Sequence, residues 1–292
     1  MVVKFRPDHD LKPKQLEPIP EIIGFNDKVD RIGPLKTVCI LDTETTGLDT
    51  RAAEIIELAY MLVTYDETTG KFYDVVERFQ DLQEASRPLS EEIIRITGIT
   101  DQMIAGQRID WSAVSKALSD VDIFVAHNAG FDRKILERYH DIFKTKPWGC
   151  SLKDADWGLF GESSRKQEWL VYKVCNRYYE AHRALDDVNA LACLLATDLP
   201  ESSNSIFKTL LKSAAADIVI IEATNSAFEE KDALKQLKFR WNANKRVWWT
   251  YVRDEGDNVL DAIQKAKDAA PSSTPETIRV PAIDKYSVRA NM

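Results

Sequence analysis

The sequence predicts an α/β domain, a mixed sheet flanked by helices, followed by a small α+β module. Strand-length apolar runs open the chain's central part, and after about residue 120 they alternate with helix-length segments. Glu67-Thr68-Thr69-Gly70 reads as a tight turn between two such runs. Beyond Leu199 the composition breaks at Pro200-Glu201-Ser202-Ser203-Asn204-Ser205, and a new strand–helix–hairpin pattern begins.

Taken in order, residues 1–36 are Pro-punctuated and irregular, with a short apolar piece from Ile19 to Phe25, and form an N-terminal extension. The main domain, 37–198, opens with strands over 37–43, 54–65 and 71–79, a meander closed by the Thr-Thr-Gly turn. Helices through about 90–119 follow, then a strand over 122–127 and a helix over 131–143. A short strand near 148–152, a helix around 165–180 and a last helix over 184–197 complete it. Residues 199–216 read as a linker. The module, 217–269, reads as a strand Ile218–Glu222, a helix over 228–237, a hairpin and a helix Gly256–Ala269. The hairpin joins Phe239-Arg240-Trp241 to Val247–Tyr251 across Asn242-Ala243-Asn244-Lys245. The Pro/Ser/Thr-rich remainder, 270–292, is expected to be an extended tail.

At 292 residues the chain accommodates one full domain plus smaller additions, and an apolar fraction of 44% suffices for a core. No apolar run approaches the roughly 20 residues of a membrane span. The first residues mix acids with bases and lack an apolar signal core, so a cytoplasmic location is expected. Cys39, Cys150, Cys175 and Cys193 are scattered without metal-ligand spacing and are expected to be reduced.

Acidic side chains carry the chemistry. Asp42-Thr43-Glu44-Thr45-Thr46-Gly47 follows the buried-strand run Thr37-Val38-Cys39-Ile40-Leu41, and alternation along a strand sends Asp42 and Glu44 to the same side. Further on come Asp132, within His127-Asn128-Ala129-Gly130-Phe131-Asp132, and His182 with Asp187, within His182-Arg183-Ala184-Leu185-Asp186-Asp187. Converging carboxylates repel one another unless they hold a cation, and an oxygen-rich set suits Mg²⁺ or Mn²⁺. Asp132 also fits a helix N-terminus, where an acid favours the helix dipole; the two roles are compatible.

These three segments, in this order, resemble the DEDDh 3′–5′ exonucleases, the family of the proofreading subunit of bacterial DNA polymerase III. The resemblance covers roughly residues 36 to 198. Two departures stand out: Thr97 occupies a place where relatives often carry histidine, and Ser163–Leu170 matches the substrate-contacting helix start only loosely. The resemblance implies a ribonuclease H-like fold and two divalent cations, Mg²⁺ or Mn²⁺, about 3.5–4 Å apart on the scissile phosphate. It assigns Asp42 as the bridge between the ions, Glu44 and Asp187 to the ion that activates water, and Asp132 to the other. Asp187, not Asp186, is the acid carried over. His182 is then the general base, an imidazole being the side chain suited to accept a proton near neutral pH. Thr45, Thr46 and the Gly47 amide are implied contacts for the terminal nucleotide, along with Asn128 and Phe131, while His127 is assigned a supporting role. The implied activity is hydrolysis from the 3′ end of single-stranded nucleic acid, DNA favoured, with release of nucleoside 5′-monophosphates. An RNA-processing exoribonuclease, or a non-catalytic adaptor or binding protein on the same fold, are the alternatives. Expected partners are DNA or RNA 3′ ends and a polymerase or repair complex; no membrane is expected.

The net charge of −8 favours weak, distributive binding. The module differs locally: Lys231, Lys235, Lys238, Arg240, Lys245, Arg246 and Arg253 face only Asp232 within 231–253. Interleaved with Trp241, Trp248, Trp249 and Tyr251, such cations suit a nucleic-acid strand, with charges on phosphates and rings under bases. Lys238, Arg240, Trp241, Lys245, Arg246 and Trp249 are the expected accessory contacts. Packing into a mini-domain core and protein docking are competing readings. Since Trp248 and Trp249 face opposite sides of a strand, one should be core and the other exposed.

Overall fold

A computed structural model describes residues 16–20, 25 and 31–290; most of the N-terminal extension lies outside that range. In chain order the strands are β1 Glu17–Pro18, β2 Leu35–Thr45, β3 Ile55–Asp66, β4 Phe72–Leu82, β5 Ile123–Ala126, β6 Trp148–Cys150 and β7 Arg177–Tyr178. The module contributes β8 Ile218–Thr224, β9 Arg240–Asn242, β10 Val247–Arg253 and β11 Thr274–Val280. The helices are α1 Glu91–Thr97, α2 Asp101–Ile104, α3 Trp111–Ala117, α4 Ala129–Leu136, α5 Ile142–Thr145 and α6 Ser151–Asp154. They continue with α7 Gln167–Leu170, α8 Ala184–Ala196, α9 Ile206–Ala215, α10 Lys231–Gln236 and α11 Asn258–Ala269.

The main sheet has the order β4-β3-β2-β5-β6. β2 and β3 pair antiparallel, β3 and β4 likewise, while β2–β5 and β5–β6 are parallel. β3 is buried along almost its whole length, as a strand covered on both faces must be. One apolar layer joins Val38, Ile40 and Met61 to α8 and α9; the other joins Cys39, Leu41 and Tyr60 to Phe124, Ile135 and Phe143. This is the expected mixed sheet with helices on both faces. It brings the C-terminal ends of β2 and β5 side by side, where α/β proteins usually build their sites.

Several boundaries differ from expectation. The helix expected over 131–143 is two pieces, α4 and α5, and β6 stops at Cys150 because α6 begins at Ser151. The helix expected around 165–180 runs from Gln167 through a wider π turn at Val171–Cys175 and ends at Asn176, whose φ of 54° no helix continues. Arg177 and Tyr178 then pair in parallel with Glu17 and Pro18.

The expected linker, 199–216, is largely the helix α9, and Ile206, Phe207 and Leu210 on it are fully buried in the main core. Burying each such side chain is worth about 1.5–3 kcal/mol, so this segment belongs to the main domain. Nor is the end of the chain a free extended tail. β11 pairs antiparallel with β8 as the edge of the module's sheet, order β11-β8-β10-β9. The next residues fold back into the main domain: Lys285, Tyr286 and Ser287 are buried. Lys285 Nζ lies 3.3 Å from Asp154 Oδ1 and donates to Ser213 O, and Tyr286 Oη donates to Asp154 Oδ2 at 2.8 Å. The Lys285 carbonyl accepts from Arg133 Nη1 at 2.7 Å, and Ser287 Oγ donates to Glu137 Oε2 at 2.8 Å. Buried ions are costly unless paired; Lys285 pairs with Asp154 across the fold, and Arg133 pairs with Glu137 on its own helix end.

Within the module, α10 and α11 cover one sheet face, packing Val219, Ile221 and Ala223 with Leu234, Phe239 and Trp248. Trp249 and Tyr251 stand on the other face with Ile218 and Ile220. Alternation puts the two tryptophans on opposite faces, but both are half-buried and each packs against its own apolar cluster, so neither is the exposed one that the sequence led us to expect. Among the described residues, no helix is long and apolar enough to cross a membrane.

Candidate active site

Register places the acids. On β2, Asp42 stands opposite Ala59 and Glu44 opposite Glu57, and a bulge shifts the pairing between Glu44 and Thr45. Bulges are a common means of ending a ladder and re-aiming side chains beside a site. Asp187 comes from the first turn of α8. Ligand atoms of Asp42, Glu44 and Asp187 all lie within 4.8 Å of one another. Asp132, in the first turn of α4, is outside that trio but lines the same cleft, of about 660 Å³, with Asp42, His182 and Asp187. Thr43, on the opposite side of β2, donates its hydroxyl to Asp132 Oδ1 at 2.8 Å and fixes that carboxylate. Asp186 is exposed on the first turn of α8 and takes no part in the trio.

Crowding these carboxylates has an electrostatic cost. Burial, then the charges of Asp132, Asp187 and Glu44, push the Asp42 pKa well above the usual carboxylate range. Burial, then Asp187 and Glu57, raise Glu44 to about 8. Asp132 is raised to about 7, chiefly by burial against the opposing hydrogen bond from Thr43. Asp187 is raised to about 6 by burial, opposed by the hydrogen bonds from Tyr179 and the His182 amide. Clustered carboxylates that resist ionisation together are poised for a divalent cation, whose charge reverses that cost.

Supporting groups hold the third segment in place, and these were not evident from the sequence. Tyr179 Oη donates to Asp187 Oδ1 at 2.9 Å, Gln167 Nε2 approaches the same oxygen at 3.3 Å, and the His182 amide donates to Oδ2 at 2.8 Å. His182 itself is exposed at the cleft, with a φ of 73°. Glu57, fully buried, accepts from Arg183 Nη2 at 2.9 Å, from the Ala184 amide at 2.9 Å and from Gln80 Nε2 at 2.8 Å. Glu57 thus ties the start of α8 to β3. A signal for it existed: one acid interrupts the apolar run Ile55–Val63, and a buried charge needs a partner.

His127 has the supporting place expected of it. Its Nε2 lies 2.8 Å from the Arg165 carbonyl, which can only accept, so Nε2 carries the proton and Nδ1 accepts from Ser151 Oγ at 2.6 Å. Burial lowers its pKa, so the ring is neutral and pins the loop before α7 over the cleft. Asn128 and Phe131 line the cleft. Thr45, Thr46 and Gly47 are absent from the lining. The Thr45 hydroxyl donates to the Gly47 carbonyl at 2.8 Å, and Thr46 Oγ1 accepts from the Glu54 amide at 2.9 Å. Gly47 has open space over its α-carbon.

The six accessory residues separate. Arg240 and Trp249 are register partners facing the main domain. Trp241, half exposed, tilts against Trp248 on the other face with ring centroids 5.5 Å apart. Lys245 is paired with Glu222 at 2.6 Å, Arg246 sits in the turn at a φ of 56°, and Lys238 lines a separate groove beside α11.

A family model described as Exonuclease matches residues 39–195. The PolC-type DNA polymerase III of Bacillus subtilis (strain 168) is 31% identical over 175 residues, 58% of this chain and 12% of that protein. That of Listeria monocytogenes is 40% identical over 180 residues, 59% of this chain and 12% of the relative. The match thus spans about an eighth of the length of these relatives. Among solved structures, the zinc-bound E. coli ExoI–ssDNA complex superposes with a TM-score of 0.50 at 13% identity, covering 86% of this chain and 66% of that one. At that identity the likeness is one of fold, and the fold is the ribonuclease H-like one of exonucleases.

Proposed function

We propose that this chain, which belongs to the exonuclease family, removes nucleotides one at a time from the 3′ end of single-stranded nucleic acid as 5′-monophosphates. The convergence of Asp42, Glu44 and Asp187 within 4.8 Å carries the reading. Three buried-to-half-buried carboxylates, each with a raised pKa, form an all-oxygen donor set that fits a hard divalent cation such as Mg²⁺ or Mn²⁺. Asp42, Glu44 and Asp187 would hold one ion, and Asp42 with Asp132 a second. When bound, such ions supply charge stabilisation at the phosphate and lower the pKa of water.

The chain's own residues do the rest. His182, exposed at the cleft and anchored through its backbone to Asp187, accepts the proton of the attacking water. Asn128 and Phe131, which line the cleft, hold the terminal nucleotide. The loop pinned by His127 shields one side of the cleft from water. The named function of the relatives, DNA polymerase III, supports DNA over RNA as substrate and a polymerase or repair complex as partner.

The test is digestion of matched 5′-labelled single-stranded DNA and RNA with Mg²⁺, with EDTA, and with Asp42→Ala protein. A metal-dependent ladder shrinking from the 3′ end, faster on DNA and absent with Asp42→Ala, is expected. Undiminished cleavage by Asp42→Ala would overturn the assignment, and a ladder on RNA alone would move the substrate to RNA.

A further inference from the structure

The active-site cleft does not end at Phe131. Asn128 and Phe131 also line a second crevice, of about 300 Å³, between the main domain and the module. Its walls come from both units: Lys134 on α4 and Lys153 on α6 face Arg240 on β9 and Trp249 and Tyr251 on β10. Lys153 and Tyr251 also line a third groove, which holds Lys238 and Arg253 together with Glu255 and Asp261. The three depressions are therefore neighbours that share lining residues.

The chemistry of the middle crevice is one-sided. Three of its lining side chains are cationic and none is acidic. The Arg240 side chain is exposed and makes no ion pair or hydrogen bond among the described residues, and the Lys153 ammonium has no ion pair among them. Burial and the neighbouring Lys153 ammonium hold the Lys134 pKa below the usual lysine value, against the opposing charge of Glu137. Packing alone does not call for that arrangement, since gathering like charges costs free energy until an anion arrives. Trp249 stands beside Arg240 in register and gives the crevice an aromatic face. Cations for phosphates beside a ring for a base are the parts of a single-strand subsite. The volume suits one nucleotide unit rather than a duplex.

We propose that this interdomain crevice binds the nucleotide unit upstream of the one being removed, its phosphate on Lys134, Lys153 and Arg240 and its base on Trp249. The proposal rests on the exonuclease reading of the adjoining cleft and adds a role for the module. The module then lengthens the grip on the strand without touching the reacting bond.

The test uses the full chain carrying Asp42→Ala, so binding is read without turnover. Anisotropy of a 5′-labelled oligodeoxynucleotide is followed against salt for this protein and with Arg240→Ala, Lys153→Ala or Arg240→Lys added. Each lost cation should flatten the slope of log K against log salt by about 0.7, and Arg240→Lys should restore it. A second arm uses catalytically intact protein: Arg240→Ala and Trp249→Ala should lower kcat/KM on a trinucleotide about 10-fold relative to thymidine 5′-(p-nitrophenyl phosphate), which is too short to reach the crevice. Unchanged salt slopes in both alanine variants would overturn the proposal, as would equal losses on long and short substrates. If the wild-type chain cleaves neither substrate, the exonuclease reading fails, and the salt slopes alone still decide whether the crevice binds the strand.

Discussion

Glu57 offers the sharpest test of how the site is held. Its carboxylate is fully buried and receives four contacts: two from Arg183, one from the Ala184 amide and one from Gln80. Glu57→Ala leaves the buried Ala184 N–H without a partner, which costs about 1–3 kcal/mol. Arg183, with 38% of its side chain exposed, regains water, so the broken ion pair adds only about 1 kcal/mol. A loss of roughly 2–4 kcal/mol follows, while Glu57→Gln, which keeps an acceptor for the amide, should cost about half that. One effect has the opposite sign, because the Glu57 charge raises the Glu44 pKa. Urea unfolding in EDTA at pH 6 keeps that relief small, since Glu44 titrates at about 8. The same variant frees the start of α8, and displacement of His182 and Asp187 by about 1 Å should lower kcat about 100-fold. An unfolding penalty below about 1 kcal/mol for Glu57→Ala, or equal penalties for alanine and glutamine, would refute the tie between β3 and α8.

Two further outcomes are expected. His182→Asn, chosen because asparagine tolerates the left-handed backbone at this position, should lower kcat by about 10²–10⁴-fold. Its Mg²⁺ midpoint should stay put, because the link to Asp187 runs through the backbone amide; a large shift in that midpoint would reassign His182 to metal binding. The second outcome concerns pH. The folded-state pKa values of Asp42, Glu44, Asp132 and Asp187 are raised, so folding binds protons and stability without metal is greatest below the unfolded values, near pH 4. It should fall as pH rises towards about 8, and Mg²⁺ should raise Tm more at pH 8 than at pH 5; a Tm in EDTA that is flat across this range would contradict the crowding.

The acidic segments were legible because each lies within a short local pattern: a strand end, a helix start, a histidine five residues before an acid. The sheet was legible too, since β2 and β3 carry long apolar runs. Helix α9 carried a readable period, with apolar residues at 206, 207, 210, 211 and 214, but the serine-rich lead-in masked it. β11 was hidden by Pro275, which an edge strand tolerates although a central one does not. Tyr179, Gln167 and the Lys285–Ser287 contacts had no local signature, because their partners are set only by the folded chain. One practical result is that deleting 200–292 would remove α9 and the buried return segment along with the module.

That return segment sets a timetable. Besides Ser213 on α9, residues 285–287 bond to Arg133 on α4, Glu137 at its end and Asp154 on α6, lying 131 to 152 positions earlier in the chain. A growing chain has made the last acid of the clustered trio, Asp187, about a hundred residues before Ser287 exists. At roughly 5–20 residues per second, that is an interval of some 5–20 s. Throughout it, Arg133 and Asp154 lack their distant partners, and α4, which carries Asp132, lacks its outer brace. Biosynthesis thus delivers Asp42, Glu44, Asp132, His182 and Asp187 well before residues 285–287 can brace α4 and α6.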